Sequence, residues 1–128
     1  IIAGSRTATK EQVFKALELC PFTAQISAVI SGTARGADTF GEEWASEKGL
    51  PIDKFPANWD LFGKMAGFLR NQEMAESADA LVAVWDGQSN GTRDMLRRAH
   101  ARKLKIFLYQ TDDNTWTSFL GEIIRPLV

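Results

Sequence analysis

The chain has 128 residues, of which 45% are apolar and 24% charged, an ordinary composition for one globular domain over residues 1–128. Fifteen Lys and Arg against sixteen Asp and Glu give a formal net charge of −1, which excludes a protein that coats nucleic acid through a general positive field. The single cysteine, Cys20, excludes an internal disulfide, and the lack of a spaced His/Cys set excludes a structural zinc site.

The chain opens with a pattern typical of a strand followed by a helix. Residues 1–3 are apolar and end at Gly4, which predicts the end of a first strand, and we expect further strand residues to precede them. From Thr9 to Cys20 the apolar residues fall at helical spacing. Thr9 can cap this first helix and Pro21 ends it.

A second strand and helix follow directly. The β-branched run from Ile26 to Ile30 predicts the second strand. Helical spacing of apolar residues predicts a second helix from Ala37, and Gly49 and Pro51 mark its end, because glycine and proline commonly follow the last helical turn.

The middle of the chain has a less regular pattern. Residues 51–56 can hold only a short third strand. Residues 57–67 contain glycines and aromatic residues without a period, so they are predicted as a loop or a weak first helical turn. A third helix is predicted over residues 68–77. Residues 80–85 are apolar without polar alternation, which predicts a central parallel strand covered on both faces.

The last part predicts a helix, a strand and a final helix. Gly91 opens the fourth helix, which reaches Leu104, and residues 106–109 form a fifth strand. A last helix is predicted over residues 115–124. The alternation of strands and helices predicts an α/β fold, a three-layer α/β/α sandwich with a mainly parallel five-stranded sheet.

Three of the predicted strand ends share one pattern of glycine, hydroxyl and arginine. Carboxyl ends of parallel strands meet at one edge of a sheet, where doubly wound folds bind ligands. Glycine permits close approach, N–H groups at a helix start favour anions, and arginine binds phosphate through two N–H groups. The alternative is that the glycines only form tight turns and the hydroxyls cap helices. The turns contain Gly4, Ser5 and Arg6; Gly32, Thr33, Arg35 and Gly36; and Gly91, Thr92 and Arg93.

The phosphate pattern differs from the two common nucleotide motifs. Neither GxxxxGKS/T nor GxGxxG occurs, which argues against a kinase, an NTPase and a standard dinucleotide dehydrogenase. We therefore predict a nucleotide or nucleotide-derived phosphate ligand, held at the carboxyl edge of the sheet without a P-loop.

Four ordered segments carry a family resemblance that extends from residue 1 to about residue 109. They are GSR at 4–6, SGTARGAD at 31–38, PANWDLFGKMAGFLRNQEMA at 56–75 and DALVAVWDGQSNGTRDML at 79–96. In these segments the chain resembles the YspA-type branch of the SLOG superfamily, which also includes the DNA-processing protein DprA and the "lonely guy" phosphoribohydrolases. The resemblance implies a Rossmann-like sheet and a pocket for nucleotides. It implies no single reaction, because members include enzymes, nucleic-acid binders and predicted sensors of nucleotide signals.

The resemblance also implies which residues surround the pocket. Asp38 can receive a ribose hydroxyl or, alternatively, cap the second helix. Trp59 can stack on a base or, alternatively, fill the core. Arg70 and Asn71 follow two glycines that an ordinary helix would avoid, which favours a close functional approach or, alternatively, a frayed helix start. The implied set is Gly4, Ser5, Arg6, Gly32, Arg35, Gly36, Asp38, Arg70, Asn71, Gly91 and Thr92.

Catalysis is left open by one departure from the resembled enzymes. Those phosphoribohydrolases carry GGxGTxxE, and the position of its glutamate is Met95 here, whose thioether cannot transfer a proton. If the chain is an enzyme, we expect a hydrolase of a nucleotide N-glycosidic or phosphate bond. The catalytic candidates are Arg70, Asp94 and Asp38, with Glu42, Glu43 and Asp86 as further alternatives.

The expected partner is a nucleotide-type small molecule, and no cofactor or metal is identified. No apolar run approaches the roughly 20 residues that span a bilayer, so we expect a cytoplasmic protein without a membrane partner. A homo-oligomer is compatible with the size of the chain. A less favoured hypothesis is a module that binds single-stranded DNA, with a solvated helix face as the simpler explanation of its basic cluster. That cluster is Arg97, Arg98, Arg102, Lys103 and Lys105.

Overall fold

A computed structural model describes residues 1–120 of the chain, with side-chain surroundings for residues 1–116. None of the helices in this range is long and apolar enough to cross a membrane. Short 3₁₀ turns lie at Thr23–Gln25 and Gly63–Met65. The strands are β1 (Ile2–Gly4), β2 (Val29–Ser31), β3 (Ile52–Lys54), β4 (Ala80–Trp85), β5 (Lys105–Gln110) and β6 (Thr115–Leu120), and the helices are α1 (Lys10–Leu19), α2 (Ala37–Glu47), α3 (Trp59–Phe62), α4 (Ala66–Ser77) and α5 (Asn90–Ala101).

Within residues 1–120 the strands form two sheets. One has four strands in the order β1-β4-β5-β6, in which β1, β4 and β5 are parallel, and the other is the parallel pair β2-β3. The α/β class and the mainly parallel pairing are confirmed, but the prediction of one five-stranded sheet is wrong. The physical reason is that β1 and β2 have only three residues each, and β2 hydrogen-bonds to β3 rather than extending the β1 ladder.

The predicted last helix is wrong where the structure describes it. Residues 115–120 form β6, which pairs antiparallel with β5, whereas residues 121–124 of that prediction lie outside the described residues. Asn114 has a φ of 57°, the left-handed conformation common in tight turns, and its Oδ1 accepts a hydrogen bond from the Tyr109 hydroxyl. The turn is too short for a parallel crossover, so the next strand must run antiparallel.

Strand β4 forms the centre of the four-stranded sheet, as predicted. Its side chains alternate between two apolar clusters, with Val82 and Val84 in one and Leu81 and Ala83 in the other. All four are at most 2% exposed. Burying a side chain such as leucine or valine stabilises the fold by about 1.5–3 kcal/mol, so this strand contributes strongly on both faces.

The first helix also follows its prediction closely. Thr9 is the N-cap of α1, where its hydroxyl accepts the Gln12 N–H and the Gln12 side chain accepts the Thr9 N–H. This reciprocal capping box satisfies two N–H groups that the helix itself leaves free. Cys20 is the C-cap, next to Pro21.

Two predicted boundaries in the first half are corrected. The second strand begins at Val29 rather than Ile26, because Ile26 ends the 3₁₀ turn that precedes it. Residues 57–67, predicted as a loop or a weak first helical turn, contain α3, capped by Asn58, and the start of α4 at Ala66, so the loop alternative is wrong. Of the two glycines in this segment, Gly63 ends α3 and Gly67 lies in the first turn of α4, so the segment is largely helical.

Gly4 positions the end of β1 for the site described below. A Cβ atom added at Gly4 would meet the Val84 carbonyl and come within 2.9 Å of the Ala37 Cβ. The end of β1 is therefore held tightly between β4 and the start of α2, and a side chain here would force the two apart.

Candidate functional site

A cavity of about 400 Å³ opens at the carboxyl ends of β1 and β4. The chain passes from β1 to β2 on one side and from β4 to β5 on the other, so the cavity lies where the strand order reverses. Crevices at such a switch point are the usual ligand sites of open α/β sheets. Of the predicted ligand-binding residues, those lining it are Gly4, Ser5, Arg6, Asp38, Trp59, Arg70, Asn71, Gly91 and Thr92.

A second cavity of about 410 Å³ adjoins the first. The two share Arg6, Trp59 and Arg70, together with Ala34. The predicted residues that line only the second cavity are Gly32, Thr33 and Arg35. Gly36, Arg93 and Asp94 line neither cavity.

In the first turn, Ser5 and Arg6 have different roles. Ser5 is 1% exposed; its N–H donates to the Val84 carbonyl at 2.9 Å, and its Oγ accepts the Asp86 N–H at 2.9 Å. The Ser5 hydroxyl also lies 3.1 Å from the Ser89 Oγ. Ser5 therefore ties the ends of β1 and β4 together, whereas Arg6 is exposed and faces both cavities.

The second turn has an unusual backbone. Thr33 has a φ of 63°, a left-handed conformation that costs a β-branched residue about 1–2 kcal/mol. Its N–H donates to the Ser31 Oγ at 3.1 Å, which holds the turn in place. Gly36 follows with a φ of 75° and is the N-cap of α2. The turn thus has a fixed shape, from which Arg35 extends into solvent beside the second cavity.

Asp38 is a buried carboxylate in the first turn of α2. It is 4% exposed, and its Oδ2 accepts the Ala34 N–H at 3.2 Å. Burial raises the pKa of Asp38 from 3.8 to about 6, and the Ala34 N–H and the Arg70 guanidinium oppose this rise more weakly. Because the N-cap is Gly36, the interpretation of Asp38 as the helix cap is wrong; its carboxylate instead fixes the turn and lines the cavity.

In the wild-type protein, ionisation of Asp38 is expected to lower the free energy of unfolding as pH rises from about 4 to about 6. The Asp38→Asn variant is expected not to show this decrease. The folded pKa of about 6 lies above the ordinary value of 3.8, so in this range the folded protein keeps a proton that the unfolded chain has lost. The free energy of unfolding therefore falls with rising pH, by up to about 3 kcal/mol. Asparagine still accepts the Ala34 N–H but does not titrate.

Urea unfolding of both proteins between about pH 4 and pH 7 measures this effect. Asp53→Asn on β3 removes an exposed carboxylate and controls for the loss of one negative charge. A difference between the wild type and Asp38→Asn that stays constant over the range would contradict the prediction.

Arg70 connects the two cavities. Its Nη1 donates to the Gly32 carbonyl, and its Nε donates to the Asn71 Oδ1 at 3.1 Å. Burial lowers the pKa of Arg70, Asp38 raises it and the nearby Arg6 lowers it further. Within the described part of the chain Nη2 has no hydrogen-bond partner, so this side of the guanidinium can donate to an anion.

Asn71 and Asp94 belong to a network between α4 and α5. Asn71 is 5% exposed, and its Nδ2 donates to the Gly91 carbonyl at 3.2 Å and to the Asp94 Oδ2 at 3.0 Å. The same Asp94 oxygen accepts the Arg98 Nε–H at 2.8 Å. Asp94 is thus engaged between the helices and does not line the cavity, while Asn71 holds Arg70 in place.

The third turn is the start of α5. Its N-cap, Ser89, makes no side-chain cap hydrogen bond to the helix, because its hydroxyl lies against Asp86 and Ser5. A Cβ added at Gly91 would meet nothing within 4 Å, so the helix start is open toward the cavity. Such an uncapped start favours an anion.

The arginine of the third turn points elsewhere. Arg93 lies over the Trp85 ring, 5.5 Å from its centroid, and its Nη2 is 3.5 Å from the Gly87 carbonyl. The cation–π contact explains why it does not reach the cavity. Met95, at the position of the resembled enzymes' glutamate, is 1% exposed and lines the cavity.

Trp59 forms part of the wall that both cavities share. It is 52% exposed, and a Cβ added at Gly67 would lie 3.3 Å from the edge of its ring. Trp59 is therefore not a core residue, and Gly67 leaves the space in which its ring lies. The neighbouring exposed apolar side chains are Leu61, Phe62, Met65 and Leu69. The expected self-association stays a prediction.

Several residues that line the first cavity were not predicted as ligand-binding residues, because they are not part of the glycine-hydroxyl-arginine pattern. Thr7, Lys64, Ser89 and Asn90 line the first cavity, together with Asp86, which was named only as a catalytic alternative. The residues from Asp86 to Asn90 follow the carboxyl end of β4, and this position in the chain could have identified them as lining residues. Two N–H groups and a hydroxyl donate to the Asp86 carboxylate and lower its pKa, and the Ser89 N–H has the largest effect on that pKa.

The remaining charged candidates lie outside both cavities. Glu42 accepts the Ser31 hydroxyl at 2.6 Å and pairs with Lys54 at 3.6 Å, and it lines a separate surface groove with Glu43. In residues 1–120, His, Cys, Asp and Glu form no group of three or more that could hold a metal. Within the basic cluster, Arg98 is engaged by Asp94 and Gln72, and DNA binding stays a prediction.

Comparison with known proteins identifies a matching family and a relative of this chain. The profile of the YspA, cpYpsA-related SLOG family matches residues 1–62, which include the first two turns. The chain is similar to the Gene 61 protein of Mycobacterium phage D29, at 40% identity over 84 residues, covering 61% of this chain and 67% of that protein. No solved structure matches significantly.

Proposed function

This chain belongs to the YspA, cpYpsA-related SLOG family, and we propose that it binds a nucleotide or nucleotide-derived phosphate ligand at the carboxyl ends of β1 and β4. Membership of the family suggests nucleotide-related binding or processing in general. The finer proposal rests on the chemistry of the cavity between these strands.

One observation carries the proposal: Arg6 and Arg70 line the same cavity as the open start of α5. Guanidinium groups bind phosphate through paired, charge-assisted hydrogen bonds, and free N–H groups at a helix start add a positive dipole. The volume of about 400 Å³ lies within the usual range of small-molecule sites. A phosphate group is the ligand chemistry that uses all of these features.

The rest of the cavity supplies contacts for a base and a ribose. Trp59 presents an exposed ring at the shared wall, on which a base can stack. The Asp38 carboxylate accepts the Ala34 N–H and lines the cavity, where it can also accept a ribose hydroxyl. Asn71 uses its amide within the protein, so we assign it a positioning role rather than a ligand contact.

Thermal unfolding in the presence of mono-, di- and cyclic nucleotides, ADP-ribose and NAD tests the proposal. A ligand at a hundred times its Kd stabilises the folded state by about 2.7 kcal/mol, which raises the Tm by several degrees. Nucleosides without phosphate are the matched control and are expected to give little shift. No stabilisation by any phosphate ligand would refute the proposal.

Asp38 favours a second candidate function, a nucleotide hydrolase. A carboxyl with a pKa of about 6 that lines a cavity is suited to exchange protons near neutral pH. The buried Met95 argues against the usual phosphoribohydrolase mechanism, because it occupies the glutamate position. Chromatography of nucleotides after incubation with the protein would detect free base or phosphate. If the nucleotides are unchanged, the hydrolase function is refuted and only the binding function remains.

A further inference from the structure

The two adjoining cavities differ in charge, and this difference bears on the kind of ligand. The first is lined by Arg6, Lys64 and Arg70, opposed by Asp38 and Asp86. The second is lined by Arg6, Arg35 and Arg70, and none of the described residues that line it is acidic. The second cavity therefore has the greater excess of positive charge and favours the more highly charged part of a ligand.

Arg35 has the features expected of a side chain available to a ligand. It is exposed, and it takes part in neither of the two ion pairs found within residues 1–120. The turn that carries it is held by the hydrogen bonds from the Thr33 N–H to Ser31 and from the Ala34 N–H to Asp38. A left-handed Thr33 is an unfavourable conformation, and such strain is common where a turn must present a group to a ligand.

The shared wall sets the position of the two ligand parts. Arg6 and Arg70 line both cavities, so an anion bound between them touches both compartments. A single phosphate there would leave Arg35, which lines only the second cavity, without a partner. A second phosphate joined to the first and directed into the second cavity would place its charge among the residues that include Arg35, and would balance this third guanidinium group.

We infer that the ligand carries a pyrophosphate group, which extends from the first cavity past Arg6 and Arg70 to Arg35 in the second. This inference rests on the proposed function and narrows it to nucleoside diphosphates and pyrophosphate-linked dinucleotides. Trp59, at the same wall, stacks on the base.

Calorimetric titration with matched mono- and diphosphates of the four common nucleosides tests the inference, because the base is unidentified. In the wild type we expect at least one diphosphate to bind about tenfold or more tightly than its monophosphate. Arg35→Gln is expected to reduce this ratio to about twofold or less, because its main effect is on the diphosphate. Arg102→Gln, an exposed arginine at the end of α5, is the matched control and keeps the ratio.

The outcomes separate the inference from the proposed function. Equal affinity for mono- and diphosphates, or an Arg35→Gln variant that loses both equally, overturns the pyrophosphate inference and leaves phosphate binding intact. Binding of no nucleotide overturns both. The dinucleoside diphosphate of the base that binds most tightly then distinguishes the two sources. Tighter binding than the matching nucleoside diphosphate assigns a dinucleotide, equal or weaker binding assigns a nucleoside diphosphate, and either result supports the inference.

Discussion

Replacing Gly36 with alanine is expected to destabilise the protein by about 3–5 kcal/mol, enough to unfold a domain of ordinary stability in part. Gly36 has a φ of 75° and a ψ of −121°, a backbone conformation that side-chain-bearing residues rarely adopt. An added Cβ would also meet the carbonyl groups of Ser5 and Arg6, which are backbone atoms and cannot rotate away. The expected cost combines the unfavourable conformation with this steric conflict.

The position of Gly36 makes the same substitution a test of the site. The Ser5 carbonyl accepts the Ala37 N–H at 3.2 Å and the Ala8 N–H at 3.1 Å, so it holds the start of α2 against the first turn. Moving Gly36 away would break this contact and displace Arg6 with it. Urea unfolding measures the stability, and nucleotide titration of any folded fraction measures the binding.

Gly49 provides the matched control for Gly36. Its φ of 68° is also left-handed, but an added Cβ would meet nothing within 4 Å. Gly49→Ala is therefore expected to cost only about 1–2 kcal/mol, from the conformation alone. Equal costs at the two positions would contradict the steric part of the argument.

The parts of the fold that local interactions determine were predictable from the sequence. The Thr9 cap of α1 and the apolar run of β4 depend on residues close together in the chain, and both were predicted correctly. The pairing of β2 with β3 depends on contacts between distant segments, which the local pattern does not record. Residues 115–120 were predicted as the start of a helix, although Thr115 and Thr117 are β-branched and favour the strand that forms there.

The candidate site was predictable to the extent that topology determines it. Parallel strands end at one edge, so the turns after β1 and β4 were expected to meet, and Ser5 and Arg6 do line one cavity with Gly91 and Thr92. The direction of a side chain was not predictable. Arg93 lies over the aromatic ring of Trp85, a contact that the glycine-hydroxyl-arginine pattern does not reveal.

Replacing Arg70 with alanine is expected to weaken nucleotide binding about 100-fold, or by roughly 3 kcal/mol. Arg70 presents free N–H groups at the wall between the two cavities and is held there by the Gly32 carbonyl and Asn71. Arg70→Lys keeps the charge but loses the planar group that makes these contacts together, so we expect an intermediate loss of about tenfold. Titration calorimetry of the three proteins measures the series.

Two controls show whether Arg70→Ala loses affinity because a ligand contact is removed or because the fold is damaged. They are the pKa of Asp38 and a matched arginine variant. The Arg70 guanidinium lowers the pKa of Asp38, so its removal is expected to raise that pKa further above about 6 in a folded Arg70→Ala protein, which NMR titration can measure. Arg97→Ala, on the exposed face of α5, removes the same charge away from the cavity and is expected to keep full affinity. If folded Arg70→Ala binds as tightly as the wild type, phosphate is not held at this wall. Such a result would also argue against Arg6 as a phosphate ligand, because the proposed phosphate position lies between Arg6 and Arg70.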